Sequence, residues 1–228
     1  MAGLIVVYGS SGVGKTLDMC RCFRGGLTLL TDPDGLRAVQ TLDKRTPRHL
    51  LLKDREAPVK EARDVLARVV RPIVAEKKAT AVLVSTATEL AGRVLSEWLG
   101  KMKDPRQAFQ QAQRDFLDLT EDLINLGAWV VYECHESQPT EEEYRVRPGG
   151  PKFPGKNLEE EIVYRASLVL QAKYNTAGER VYRCEPSDPL WRMKDRYNVC
   201  VREQPLDLLA LLKKTLATGA AGADGGNV

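Results

Sequence analysis

The 228-residue chain is long enough to bury one sizeable core, and its 43% hydrophobic and 29% charged residues are those of a soluble globular protein. Its 34 basic residues nearly balance 31 acidic ones, for a net charge of +3, so overall charge gives no argument for a nucleic-acid partner and any such reading needs a local patch. Five cysteines (Cys20, Cys22, Cys134, Cys184 and Cys200) without a C-x-x-C, and two histidines, argue for free thiols in a reducing cytoplasm rather than disulfides or zinc. No run reaches membrane-spanning length, and residues 4–8 are too short for a signal sequence, so a cytoplasmic protein without a membrane partner is expected.

The apolar run 4–8 reads as a first strand. It leads into Gly9-Ser10-Ser11-Gly12-Val13-Gly14-Lys15-Thr16, which satisfies G-x-x-x-x-G-K-[ST] at every fixed position, and a helix-compatible run over 15–24 follows. The glycines let successive N–H groups face one anion, and the helix start adds unpaired N–H groups and the positive end of its dipole. Lys15 can reach the β- and γ-phosphates, and the Thr16 hydroxyl can ligate Mg²⁺. ATP and Mg²⁺ are therefore the expected ligands.

Residues 27–31 read as a second strand, ended by Asp32-Pro33-Asp34-Gly35. Asp34 is the candidate for orienting an attacking water; a plain Asp-Gly turn is the alternative. A short strand is readable at 49–52, and helical spacing over 59–78 should kink or restart at Pro72. Residues 80–86 form a buried-strand candidate. A magnesium-site acid is expected at its end, but that place holds Ser85, which can hold a metal-bound water without supplying charge. Glu89 and Glu133 are the carboxylates nearby in pattern, and neither is a clean match. Slow hydrolysis, or a higher magnesium requirement, is expected.

Helices follow at 88–102 and from Pro105 to about residue 126, then a strand at 128–134. His135, at its end, can sense the γ-phosphate or merely pack on its neighbours. Residues 135–157 show no periodicity and read as a long loop, acidic first and basic later. Tyr144, Arg145, Arg147, Lys152, Phe153 and Lys156 combine aromatics with cations, which suits single-stranded DNA; a lid over the nucleotide is the alternative. A short helix at 158–165, a β-hairpin around Asn175-Thr176-Ala177-Gly178 and an amphipathic helix at 206–216 complete one domain, 1–217, with a disordered Gly/Ala-rich tail at 218–228. Lys194-Asp195-Arg196 is either a solvated turn or a source of cations for a neighbouring subunit's triphosphate.

The ordered set of the Gly9–Thr16 loop, Thr-Asp-Pro-Asp-Gly at 31–35, Ser85-Thr86-Ala87-Thr88-Glu89-Leu90, Cys134-His135-Glu136, Pro154-Gly155-Lys156-Asn157 and Met193-Lys194-Asp195-Arg196 resembles the phage-encoded single-domain RecA-like ATPases of the Sak recombinase type. The resemblance spans roughly residues 2–200. It implies an α/β RecA-like P-loop NTPase core, a mostly parallel sheet flanked by helices, with a C-terminal β-hairpin. It further implies a DNA-dependent ATPase that binds single-stranded DNA and assists phage homologous recombination or strand annealing. Asp34 falls at the family's catalytic carboxylate, His135 at the residue coupling nucleotide to DNA, and Lys194 and Arg196 at basic residues acting across a subunit interface. Ser85 stands where the family has the Walker B aspartate, a departure that bears on hydrolysis and not on binding. A homo-oligomeric ring or filament and a single-strand-binding protein are the expected partners; with the first strand at about Leu4, assembly is expected without an N-terminal arm. The rival readings are a nucleotide-binding protein with little turnover, using ATP as an assembly or conformational ligand, and a small-molecule kinase, for which no arginine-rich lid is found.

Overall fold

The computed structural model describes residues 3–22, 26–31, 48–142 and 145–223. Strand β1 (Leu4–Tyr8) feeds the glycine-rich loop and helix α1 (Lys15–Cys22); β2 (Leu27–Leu30) and β3 (Arg48–Leu51) follow. Helix α2 (Pro58–Val65) passes through a π-helical turn at Leu66–Val70 into α3 (Arg71–Ala75). The wide turn lies directly ahead of Pro72, which has no N–H to give to the turn before it, so the break expected there takes the form of a π-bulge. β4 (Ala81–Ser85) and β5 (Trp129–Cys134) bracket α4 (Ala87–Lys101) and α5 (Pro105–Ile124). The Thr86 side chain caps α4 by accepting from the Glu89 N–H, and Asp104 caps α5 by accepting from the Arg106 N–H.

The stretch after β5, read from sequence as a loop, is a β-ribbon. β6 (Glu136–Ser137) pairs antiparallel with β9 (Gly150–Pro151), and β7 (Thr140–Glu142) with β8 (Arg145–Arg147). The register sets Thr140 opposite Arg147, Glu141 opposite Val146 and Glu142 opposite Arg145, so the acidic stretch and the basic stretch form the two arms of one antiparallel pair. Helix α6 (Lys156–Arg165) returns the chain to β10 (Leu168–Tyr174), which forms the expected hairpin with β11 (Arg180–Arg183). β12 (Lys194–Asp195), β13 (Glu203–Pro205) and α7 (Leu208–Ala223) close the chain. The tail expected from residue 218 is helical as far as Ala223, in keeping with the helix propensity of its alanines.

Neighbouring strands run β13-β11-β10-β1-β5-β4-β2-β3, and β12 pairs with the first residues of β10. From β10 to β3 all pairs are parallel; the C-terminal additions are antiparallel. β5 thus lies between β1 and β4. Full burial along β1, β4 and β5 follows from helices on both faces. Alternate residues point to opposite sides. Val6, Val84, Val130 and Tyr132 pack under α2, α4, α5 and α6, while Ile5, Leu83 and Val131 pack with Val13, Met19 and Leu208 under α1 and α7. This parity puts the last inward residues of β4 and β5, Ser85 and Glu133, on the α1 side.

Candidate functional site

The loop from Gly9 to Thr16 leaves β1 at the carboxyl edge of the sheet and enters α1. Its close fit requires glycine. A Cβ at Gly9 would stand 2.1 Å from the Ala172 carbonyl oxygen, and Gly14 has φ +97. The Lys15 side chain is buried and its ammonium donates to the carbonyls of Gly9 and Ser10, both at 2.9 Å. Burial pushes the Lys15 ammonium below its usual range, and Glu133 gives the largest pull in the other direction. Arg180, at the start of β11, lies against the same loop: a Cβ on Gly14 would be 3.1 Å from its Nη1. Sequence reasoning missed Arg180, because only the pairing of β10 with β11 brings residue 180 back to the loop.

Thr16 stands at the start of α1, and its hydroxyl donates to Glu133 at 2.8 Å to Oε1 and 2.9 Å to Oε2. The Ser85 hydroxyl donates to Glu133 Oε2 at 2.5 Å. Ser85 and Glu133 are register partners on β4 and β5, and both are buried. Glu89 is elsewhere: it pairs with Arg93 at 3.2 Å, one turn along α4. Thr16, Ser85 and Glu133 form an all-oxygen donor set of the kind Mg²⁺ prefers, and the residues fit that ion. Asp34 lies outside the described residues. The strand before it is pinned beside β4: the Thr31 N–H donates to the Ser85 carbonyl at 2.8 Å, and the Thr86 N–H donates to the Thr31 hydroxyl at 2.9 Å.

The AAA domain family matches residues 3–197. The chain belongs to the AAA domain family. Among solved structures, a prototypical ATPase from the type III secretion system of pathogenic bacteria is 14% identical, with a TM-score of 0.55 over 78% of this chain and 54% of its own. This chain therefore spans about half the length of that ATPase, and the likeness is one of fold. A KaiC-like protein from the hyperthermophilic archaeon Pyrococcus horikoshii OT3 is 15% identical over 79% of this chain and 77% of its own, with a TM-score of 0.46. No curated protein matches the sequence. The fold is that of RecA-like P-loop ATPases, and the AAA domain carries their ATP-binding loop.

In this AAA domain the ribbon grows directly from the nucleotide site, since β5 passes through Glu133 and Cys134 into His135 and β6. The His135 imidazole is exposed. Its backbone N–H donates to the Thr88 hydroxyl at 3.0 Å; that hydroxyl donates to the Lys152 carbonyl at 2.8 Å, and the Lys152 N–H donates to the His135 carbonyl at 2.8 Å. Thr88 thereby ties the first turn of α4 to both arms at the ribbon's root.

The ribbon residues read as DNA contacts divide. Lys152 is exposed and Lys156, at the start of α6, is half-buried. Arg147 is bound to the buried Glu159 at 3.2 Å, and Arg192 binds the same carboxylate. Phe153 is a correction: it lies in the core against Phe116 and offers no face to a base. Tyr144 lies outside the described residues; of Arg145 the backbone pairing alone is described.

Lys194 and Arg196 lie at the other edge of the sheet. β12 pairs with Leu168 and Val169 of β10, which sit beside Ile5 and Val6, whereas the loop begins after Tyr8, opposite Gln171. The Lys194 ammonium donates to the carbonyls of Val163 at 3.2 Å and Tyr164 at 2.5 Å, closing the end of α6. Burial lowers its pKa, with Arg196 adding to the effect. The Arg196 side chain is exposed. Among the described residues no helix is long and apolar enough to cross a membrane.

Proposed function

We propose that this chain is a DNA-dependent ATPase of the phage Sak recombinase type, which binds single-stranded DNA and assists homologous recombination or strand annealing as a homo-oligomer. The observation that carries the reading is the continuity of β5 from Glu133, in contact with Thr16, to His135 and the ribbon, cross-tied by Thr88. A change at the γ-phosphate end of the loop has a short covalent and hydrogen-bonded route into the ribbon, the element proposed to meet DNA through Arg145, Lys152 and Lys156.

In this reading the N–H groups of the Gly9–Thr16 loop hold the triphosphate, and Lys15 transfers its ammonium from the Gly9 and Ser10 carbonyls to phosphate oxygens. Thr16 and neighbouring oxygens would hold Mg²⁺, which would supply charge neutralisation at the phosphates. Asp34 orients the attacking water. Arg196 and Lys194, on the edge of the sheet away from their own chain's loop, serve a neighbour's site in the oligomer.

The reading is tested by phosphate release with and without single-stranded DNA, alongside electron microscopy. DNA-stimulated release and rings or filaments are expected. Tight ATP binding with no stimulation by DNA removes the recombinase reading and leaves a nucleotide-binding protein with little turnover.

A further inference from the structure

The P-loop reading leaves the end of β4 without the acid that a magnesium–triphosphate site requires, since Ser85 stands there. Resting on that reading, we infer that Glu133 is the metal-site acid of this chain, moved from β4 to the adjacent strand, and that Ser85 is its positioning residue.

Geometry carries the inference in three steps. First, β4 and β5 are parallel and register Ser85 against Glu133, with Leu83 against Val131 before them. Both residues therefore face the α1 side, Ser85 as the last residue of β4 and Glu133 as the last but one of β5, where α1 presents Thr16. Second, two hydroxyls converge on the Glu133 carboxylate, with the single Thr16 proton between its two oxygens and the Ser85 proton on Oε2, and no other residue bonds to both of these hydroxyls among the described residues. Third, Glu133 is 5% exposed and makes no ion pair among the described residues: Lys15, whose ammonium feels its charge, is bonded instead to the Gly9 and Ser10 carbonyls. Hydroxyls orient a buried carboxylate but do not neutralise it, and a buried charge calls for a cation.

Serine at position 85 then has a reason. An aspartate there would set a second carboxylate at cross-strand contact with Glu133, and directly opposed like charges destabilise a strand pair. A small hydroxyl removes that conflict and holds the glutamate in a single orientation. β5 is also the strand next to β1, so an acid on it stands one strand spacing, roughly 4.8 Å, nearer the P-loop than an acid on β4.

The test compares the wild type with Glu133→Gln, Glu133→Ser, Ser85→Asp and the exchanged pair S85D/E133S. The readouts are Mn²⁺ affinity by electron paramagnetic resonance with a non-hydrolysable ATP analogue, metal-free binding of a fluorescent ATP analogue, and the unfolding temperature. Glu133→Gln keeps shape and both hydroxyl partners, and is expected to weaken Mn²⁺ by about 10- to 100-fold, the loss usual for an outer-shell metal partner. Metal-free nucleotide binding should survive. Glu133→Ser should lose Mn²⁺ as well, and the exchanged pair should recover most of what that variant loses. Unchanged Mn²⁺ affinity in Glu133→Gln, or no recovery in the exchanged pair, overturns the assignment while leaving the ATP site standing. A wild type that binds neither nucleotide analogue overturns the ATP reading and the assignment with it.

Discussion

Phe153 packs on Phe116 with ring centroids 5.6 Å apart and planes tilted by 58°. The ring is 7% exposed and belongs to the same core as Leu158 and Ile162 of α6. Replacing it with alanine is expected to cost stability by about 3–5 kcal/mol, the usual result of emptying an aromatic core site. Urea unfolding measures this directly. The salt dependence of DNA binding should be that of the wild type under conditions where the variant remains folded.

The basic residues on and beside the ribbon other than Arg147 lead to a second expectation. Changing Arg145, Lys152 and Lys156 together to alanine should weaken single-strand binding and flatten its salt dependence by roughly 0.7 per lost phosphate contact. Arg147 belongs to a different class, because its partner is the buried Glu159. Arg147→Ala should lower the melting temperature. An unchanged salt slope in the triple variant would clear the ribbon of DNA contact.

Lys15→Ala removes an ammonium already at the mouth of the cradle. Loss of a charge-assisted contact of about 1.5–3 kcal/mol corresponds to at least tenfold weaker binding of a fluorescent ATP analogue. Full-strength binding in this variant would move the nucleotide site elsewhere. Circular dichroism should show an intact fold.

Thr88→Val keeps the shape of the side chain and deletes the hydroxyl that joins His135 to Lys152. The expected outcome is ATP hydrolysis that proceeds without DNA at its wild-type rate but no longer responds to DNA. If stimulation by DNA persists in full, the coupling runs by another route.

What could be read in the chain beforehand was what is encoded locally. The P-loop is eight consecutive residues, and its strand and helix are adjoining segments, so both the chemistry and its setting lie within some twenty positions. The pairing of Ser85 with Glu133 is a matter of register between strands 48 residues apart, and register is set by the whole sheet rather than by either segment. Parity would have helped: Trp129, Val131 and Glu133 share a face, as do Ala81, Leu83 and Ser85. The ribbon is hard to read in the sequence because its strands are only two or three residues long, too short for alternation to register as a strand signal. The burial of Phe153 is likewise not a local property. Its core partner, Phe116, lies on a different element, and nothing near it in sequence marks it as buried.

The contact between Ser85 and Glu133 also constrains how such a site can arise. Transfer of one acid between neighbouring strands by single substitutions passes through a chain with two acids or a chain with none. The first crowds like charges into one buried spot; the second forfeits the cation. Position 85 and position 133 therefore behave as one heritable unit, and a search for working ATPases of this architecture that inspects the end of a single strand will discard chains whose acid has crossed to the next.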